Sequence, residues 1–135
     1  MLSLFKEIHR MSSTPKTVLI IEDEADAAEL FAEMMRVSGF RVLKTSQSTP
    51  SIDMMIAERP DVVILDIMMP DTSGLEILRQ MRRDPQLAVV PVVVVSAKSM
   101  PADIKNGMEA GASTYLTKPV GFLDLKEAVE RVLKR

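Results

Sequence analysis

The chain has 135 residues, 47% of them hydrophobic and 27% charged, with a formal net charge of -2; these are the proportions of one ordinary globular domain, with no basic face for direct nucleic-acid binding. The absence of cysteine fits a reducing, cytoplasmic setting and rules out a disulfide framework, a thiolate nucleophile and a zinc–thiolate site. The single histidine, His9, lies outside the patterned region, which excludes histidine metal clusters and a Ser-His-Asp triad, and the longest apolar stretch, Leu87 to Val95, is too short to cross a membrane.

Residues 1–16 stand apart as an N-terminal extension or linker, and residues 17–135 form the domain. In the extension Leu4, Ile8 and Met11 fall at helical spacing before Ser12-Ser13-Thr14-Pro15 breaks the pattern. The apolar core and small-residue cleavage site of a signal peptide are missing, and a start at Met11 is equally compatible. From Thr17 onward strand and helix patterns alternate, which marks a parallel sheet covered on both faces.

Val18-Leu19-Ile20-Ile21 is the first strand and runs into Glu22-Asp23. A helix follows from about Ala25 to Val37, with Ala27, Leu30, Met34 and Val37 on one stripe and Gly39 placed to cap its end. Phe40 to Lys44 reads as a short second strand. Thr49-Pro50 opens the second helix, threonine as cap and proline at the first position; Ile52, Met55 and Ile56 form its buried side, and Arg59-Pro60-Asp61 ends it. The third strand, Val62-Val63-Ile64-Leu65, runs into Asp66. After the loop Ile67 to Thr72, Ser73 and Glu76 form a capping box for a third helix whose Leu75, Leu78 and Met81 face the sheet. Asp84-Pro85 breaks that helix. Val92-Val93-Val94-Val95 is the fourth strand and ends at Ser96; a fourth helix runs from near Pro101 to Gly111. Thr114-Tyr115-Leu116-Thr117 is the fifth strand and ends at Lys118-Pro119. The last helix spans about Phe122 to Arg135, with Leu125, Val129, Val132 and Leu133 inward and basic Arg131, Lys134 and Arg135 at its negative end. Most of the 11 methionines read as core filler.

In an open α/β sheet the ligand site lies beyond the carboxyl ends of the strands. An acid pair, a lone acid, a hydroxyl and a lysine therefore meet in one pocket. Taken singly, each has a plainer reading: a strand-terminal aspartate as a turn residue, Glu22-Asp23-Glu24 as a favourable charge at a helix start, Ser96 and Lys118 as loop residues. Together they define a chemistry. Like-charged carboxylates at close range share a proton or gather a cation, and an all-oxygen donor set suits magnesium. The lysine supplies a point charge and the serine a hydrogen-bond donor for a phosphoryl oxygen, and a carboxylate can itself be the nucleophile that becomes an aspartyl-phosphate.

The chain from about Thr17 to Arg135 resembles the receiver domain of two-component response regulators. The motifs that carry the resemblance are VLIIEDE, VVILDIMMPDTSG, PVVVVSAKS and GASTYLTKPV, in that order. The resemblance implies a flavodoxin-like (βα)5 fold, a doubly wound parallel five-stranded sheet in the order 2-1-3-4-5. It implies that Asp66 is the phosphoacceptor. Asp23, Asp66 and the backbone carbonyl of Met68 would be direct ligands of Mg2+, and Glu22 would act through water. Lys118 would contact the phosphoryl group, across a cis bond to Pro119, and Ser96 and Tyr115 would be the switch hydroxyl and switch aromatic. The implied partners are a histidine kinase or histidine phosphotransfer protein upstream and a protein partner or missing output domain downstream. The latter would be reached through the face of helix four, strand five and helix five. The resemblance also admits a homodimer and implies no direct nucleic-acid or membrane binding.

Several positions depart from the commonest pattern. Glu22 stands where aspartate is usual and Ser96 where threonine is frequent, each keeping the chemistry. Met68 is bulky beside the phosphoacceptor and is expected to slow the access of water to a phosphorylated Asp66. Ser113-Thr114 replaces acidic residues that pair across one dimer type, so that dimer is not expected. The rival enzyme reading is a phosphohydrolase with an aspartyl nucleophile, which usually carries a second aspartate two positions on, where this chain has Met68. No G-x-G-x-x-G or G-x-x-x-x-G-K-[ST] phosphate loop is present. A pseudo-receiver serving only as an interaction module is disfavoured because every chemical position is filled. The pattern stops with helix five, which fits either a stand-alone regulator or a receiver cut from a longer protein.

Overall fold

The computed structural model describes residues 14–134. The expectations for residues 1–13, including the spaced apolar residues and His9, and for Arg135 lie outside the described residues. Five strands, β1 (Thr17–Ile21), β2 (Arg41–Thr45), β3 (Val62–Leu65), β4 (Val92–Ser96) and β5 (Thr114–Thr117), alternate with five helices. These are α1 (Ala25–Val37), α2 (Ser51–Glu58), α3 (Gly74–Arg83), α4 (Pro101–Ala110) and α5 (Phe122–Leu133). All strand pairs are parallel and the order is β2-β1-β3-β4-β5, the expected flavodoxin-like arrangement. Strand order reverses beside β1, so the carboxyl ends of β1 and β3 flank the crevice where such sheets bind ligands.

The two-residue side-chain period of a strand divides the core into two layers. Leu19, Ile21, Val63, Leu65, Val92 and Val94 pack with Met55, Leu78 and Met81 on the side of α2 and α3. Val18, Ile20, Val62, Ile64, Val93 and Val95 pack with Phe31, Met35, Leu125 and Val129 on the side of α1 and α5. Residues at both faces of β1, β3 and β4 are therefore buried, which is why these strands read as unbroken apolar runs.

Four local expectations need correction. In α1 the buried row is Ala28, Phe31, Ala32 and Met35, while Leu30 and Val37 are exposed. Ala27 and Met34 lie between the two rows and pack only partly against the core. Two adjacent rows of α1 have helical spacing, and the row holding the Phe31 ring is the one turned to the sheet. At α2, Pro50 occupies the cap position and Thr49 is outside the helix, where its hydroxyl and N–H donate to Asp71 of another loop and its side chain caps nothing. At α3, Ser73 caps by accepting from the Leu75 N–H at 3.2 Å, but Glu76 pairs with Arg83 and Arg79 instead of closing a capping box. The second strand starts at Arg41, one residue later than expected. Gly39 and Gly111 do take the left-handed conformation at the ends of α1 and α4, with φ of 95° and 118°.

Candidate metal and phosphoryl site

The ladder hydrogen bonds continue one step beyond the strands and hold the chemical residues at their tips. The Glu22 N–H donates to the Thr45 carbonyl at 3.1 Å, the Asp66 N–H to the Ile21 carbonyl at 3.0 Å, and the Lys118 N–H to the Ser96 carbonyl at 2.9 Å. Glu24, not Glu22 or Asp23, caps α1, its carboxylate accepting from the Asp26 and Ala27 N–H groups. The acid pair is thereby left for other work.

Glu22, Asp23 and Asp66 each offer a carboxylate oxygen within 4.8 Å of the others, with Glu22 and Asp66 buried and Asp23 exposed. Lys118 Nζ donates to Glu22 Oε1 at 2.6 Å and to Asp66 Oδ2 at 3.3 Å, and the other Asp66 oxygen accepts from the Met68 N–H at 2.9 Å. The Lys118–Pro119 peptide is cis, as expected. Burial pushes the Glu22 carboxyl up to about 7, with Asp66 adding to the rise against the pull of Lys118. Burial also works against the Lys118 ammonium, but Glu22 and Asp66 together hold it above its usual value. One lysine thus serves two buried carboxylates, and a third stands beside them. This donor set fits a hard divalent cation, which would neutralise charge that Lys118 alone cannot.

Ser96 is fully buried, and its Oγ accepts from the Lys98 N–H at 3.1 Å. The Tyr115 hydroxyl donates to the Lys98 carbonyl at 2.7 Å. Both anticipated switch residues therefore attach to one turn, and Lys98 in that turn lines an open cleft of about 510 Å³ with Asp23 and the exposed Met68. The structure brings Glu22, Asp23, Asp66 and Lys118 into direct proximity, while Ser96 and Tyr115 meet through Lys98.

Some contributors were not legible beforehand. A β-carbon on Gly74 would come within 2.4 Å of the Ile67 α-carbon and 2.8 Å of the Asp66 carbonyl oxygen, so glycine alone lets α3 start against the Asp66 loop. Asp71 accepts from Ser48 and Thr49 across that loop. A Ser-Gly pair is a weak turn signal, whereas nothing in sequence pairs Asp71 with Ser48 or singles out Lys98.

A parallel sheet in this order, with an acid–lysine cluster at its carboxyl edge, defines a flavodoxin-like domain with an acidic cleft. The family model described as the response regulator receiver domain matches residues 18–130, and the chain belongs to that family of two-component signalling domains. It is 32% identical over 120 residues to the phosphate regulon transcriptional regulatory protein PhoB of Pseudomonas aeruginosa, covering 89% of this chain and 52% of PhoB. It is 30% identical over 119 residues to the polar-differentiation response regulator DivK of Brucella anthropi, covering 88% of this chain and 97% of DivK. The chain thus spans about half the length of the PhoB-type regulators it matches. Its fold matches the receiver domain of the sensor histidine kinase PA1611 from Pseudomonas aeruginosa, with a TM-score of 0.84 and 23% identity over 90% of this chain and all of that one. That structure has a magnesium ion coordinated in its active-site cleft. No helix among the described residues is long and apolar enough to cross a membrane.

Proposed function

We propose that residues 17–135 act as a phospho-accepting receiver, with Asp66 taking a phosphoryl group from a histidine kinase or histidine phosphotransfer protein. The observation that carries this reading is the single lysine shared by Glu22 and Asp66, with Asp23 alongside. An Asp66 oxygen attacks phosphorus, the new O–P bond forms as the donor's N–P bond breaks, and the electron pair leaves on the imidazole nitrogen. Lys118 holds positive charge next to the attacking carboxylate. A resident Mg2+, held by Asp23, Asp66 and the Met68 carbonyl with Glu22 acting through water, would offset negative charge on the phosphoryl oxygens.

The signal is a population shift. A phosphoryl group on Asp66 adds charge and acceptor oxygens, and bonds from Ser96 and Lys118 to those oxygens favour one arrangement of the Lys98 turn. Tyr115 is tied to that turn through the Lys98 carbonyl, so its ring follows and alters the α4–β5–α5 face. A shallow groove of about 370 Å³ on this face, lined by Ile104, Tyr115, Pro119 and Arg131 among others, is where a protein partner or an output domain reads the change. The reading places the protein in the cytoplasm as a signalling domain rather than an enzyme with a turnover substrate.

The test is intact mass after incubation with Mg2+ and a small acyl phosphate. One added phosphoryl group is expected, abolished by Asp66→Asn. No gain, or a gain that survives Asp66→Asn, overturns the assignment. Sustained turnover of phosphomonoesters would instead favour a phosphohydrolase.

A further inference from the structure

The loop Ile67–Ser73 leads from Asp66 to α3 and contains Met68, whose carbonyl is a ligand in the reading above. Three ties hold it. The Met68 N–H donates to Asp66 Oδ1, the Gly74 N–H donates to the Ile67 carbonyl at 3.2 Å, and Met69 is buried in the core. These ties account for the first half of the loop and its end. The middle is held by Asp71. Its Oδ1 accepts from the Ser48 hydroxyl at 2.8 Å. Its Oδ2 accepts from the Ser48 N–H at 3.1 Å, the Thr49 N–H at 3.2 Å and the Thr49 hydroxyl at 3.0 Å. Ser48 is fully buried and its hydroxyl also lies 3.2 Å from the Thr72 carbonyl.

Such a set of four bonds to one carboxylate is more than a turn needs. A turn aspartate ordinarily accepts from its own backbone two residues on, whereas Asp71 reaches 22 and 23 positions back along the chain. The bonds from Ser48, followed by those from Thr49, pull the carboxyl well below the ordinary carboxylate range, to about 2, so it stays ionised at any working pH. The β2–α2 turn is itself anchored, since the Ser51 N–H and hydroxyl both donate to the Ser48 carbonyl. Asp71 therefore ties the loop to the β2–α2 turn.

We propose that Asp71 is a positioning residue for the metal site: by clamping the loop 67–73 to Ser48 and Thr49, it holds the backbone of Met68, whose carbonyl would join Asp23 and Asp66 as a ligand of a divalent cation. The proposal rests on the phospho-acceptor reading above. Groups that orient ligands commonly govern affinity by about 10–100-fold, and Asp71→Ala is expected to raise the Mg2+ dissociation constant by about tenfold.

Isothermal titration of the metal-free full chain with MgCl2 tests this, with amide NMR reporting the Met68 resonance. Ser48→Ala removes one of the bonds and keeps the backbone donors, so it is expected to weaken binding less than Asp71→Ala; it also serves if Asp71→Ala does not fold. Val132→Ala, in the buried face of α5, lowers stability away from the site and is expected to leave the Mg2+ affinity unchanged. Unchanged affinity in both loop variants, with the wild type binding Mg2+, overturns the role of Asp71 and leaves the receiver reading standing. Equal weakening in Val132→Ala overturns it as well, since general loosening then explains the effect. A wild type that neither binds Mg2+ nor gains mass from an acyl phosphate sinks both.

Discussion

The Tyr115 ring lies against the bare α-carbon of Gly107 in the middle of α4. A β-carbon there would come within 2.8 Å of two ring carbons, closer than side chains approach. Because the same tyrosine donates to the Lys98 carbonyl, this contact couples α4 to the turn that holds Ser96.

Gly107→Ala is a direct test of that coupling. Helix propensity alone would make the change stabilising by about 0.5–1 kcal/mol, but overpacking costs about 1–3 kcal/mol. Net destabilisation is expected, with the ring displaced. Tyr115 is the only tyrosine and the chain has no tryptophan, so intrinsic fluorescence reports on this one ring. A changed spectrum before phosphorylation, and a smaller change after it, is the expected outcome.

Gly74→Ala addresses the start of α3. Here the β-carbon would meet backbone atoms, the Ile67 α-carbon and the Asp66 carbonyl, which cannot rotate away. The cost is expected at the upper end of about 1–3 kcal/mol or beyond. Thermal denaturation measures it, and phosphorylation of Asp66 by an acyl phosphate should fall with it.

The buried Glu22 sets a pH dependence of stability. Its folded value of about 7 lies above the ordinary 4.5, so the native state binds the proton more tightly than the unfolded chain does. The contribution is complete below about 4.5 and is lost as pH rises through about 7. Denaturant midpoints of metal-free protein should therefore fall between pH 5 and pH 8 by roughly the amount such a shift commands. Glu22→Gln, which carries no proton equilibrium, should flatten that part of the curve.

Lys118→Met removes the ammonium from two buried carboxylates. Breaking a buried pair by deleting one partner costs about 3–5 kcal/mol, and the side chain's 25% exposure puts this case at the lower end. Unfolding at pH 8 with and without MgCl2 should show a larger metal-induced gain in the variant than in the wild type, because the cation then does the lysine's share of neutralisation.

Met68→Asn concerns the phosphoryl lifetime. The Met68 side chain lines the cleft beside Asp23 and Lys98 and is 47% exposed. Replacing it by a shorter polar group should admit water and speed loss of the phosphoryl group, followed as the decay of the phosphorylated mass. An unchanged decay rate would mean that the thioether does not screen the site.

Much of this was written along the chain. The runs Val18–Ile21, Val62–Leu65 and Val92–Val95 are buried on both faces because helices cover the sheet from both sides, and that burial makes strand identity and strand ends readable. Glu22, Asp66, Ser96 and Lys118 were legible for the same reason, as polar residues that end apolar runs. The inward row of α1 was not. Leu30 and Val37 are as apolar as Phe31 and Met35, so only the position of the sheet decides which row it covers. Arg82 illustrates the same limit, since its guanidinium donates to the carbonyls of Gly111, Ala88 and Val90, none of which carries a side-chain signal.

The order of residue types along this chain was sufficient for the alternation of strands and helices and for the polar residues at the strand tips, because period and burial act locally. Which side chains then share a proton, a lysine or a loop was settled only in three dimensions. The meeting of Lys118 with Glu22 spans 96 positions and that of Asp71 with Ser48 spans 23. Contacts of that reach depend on how strands are stacked in the sheet, and hydrogen bonds and charges act through space whatever their separation along the backbone.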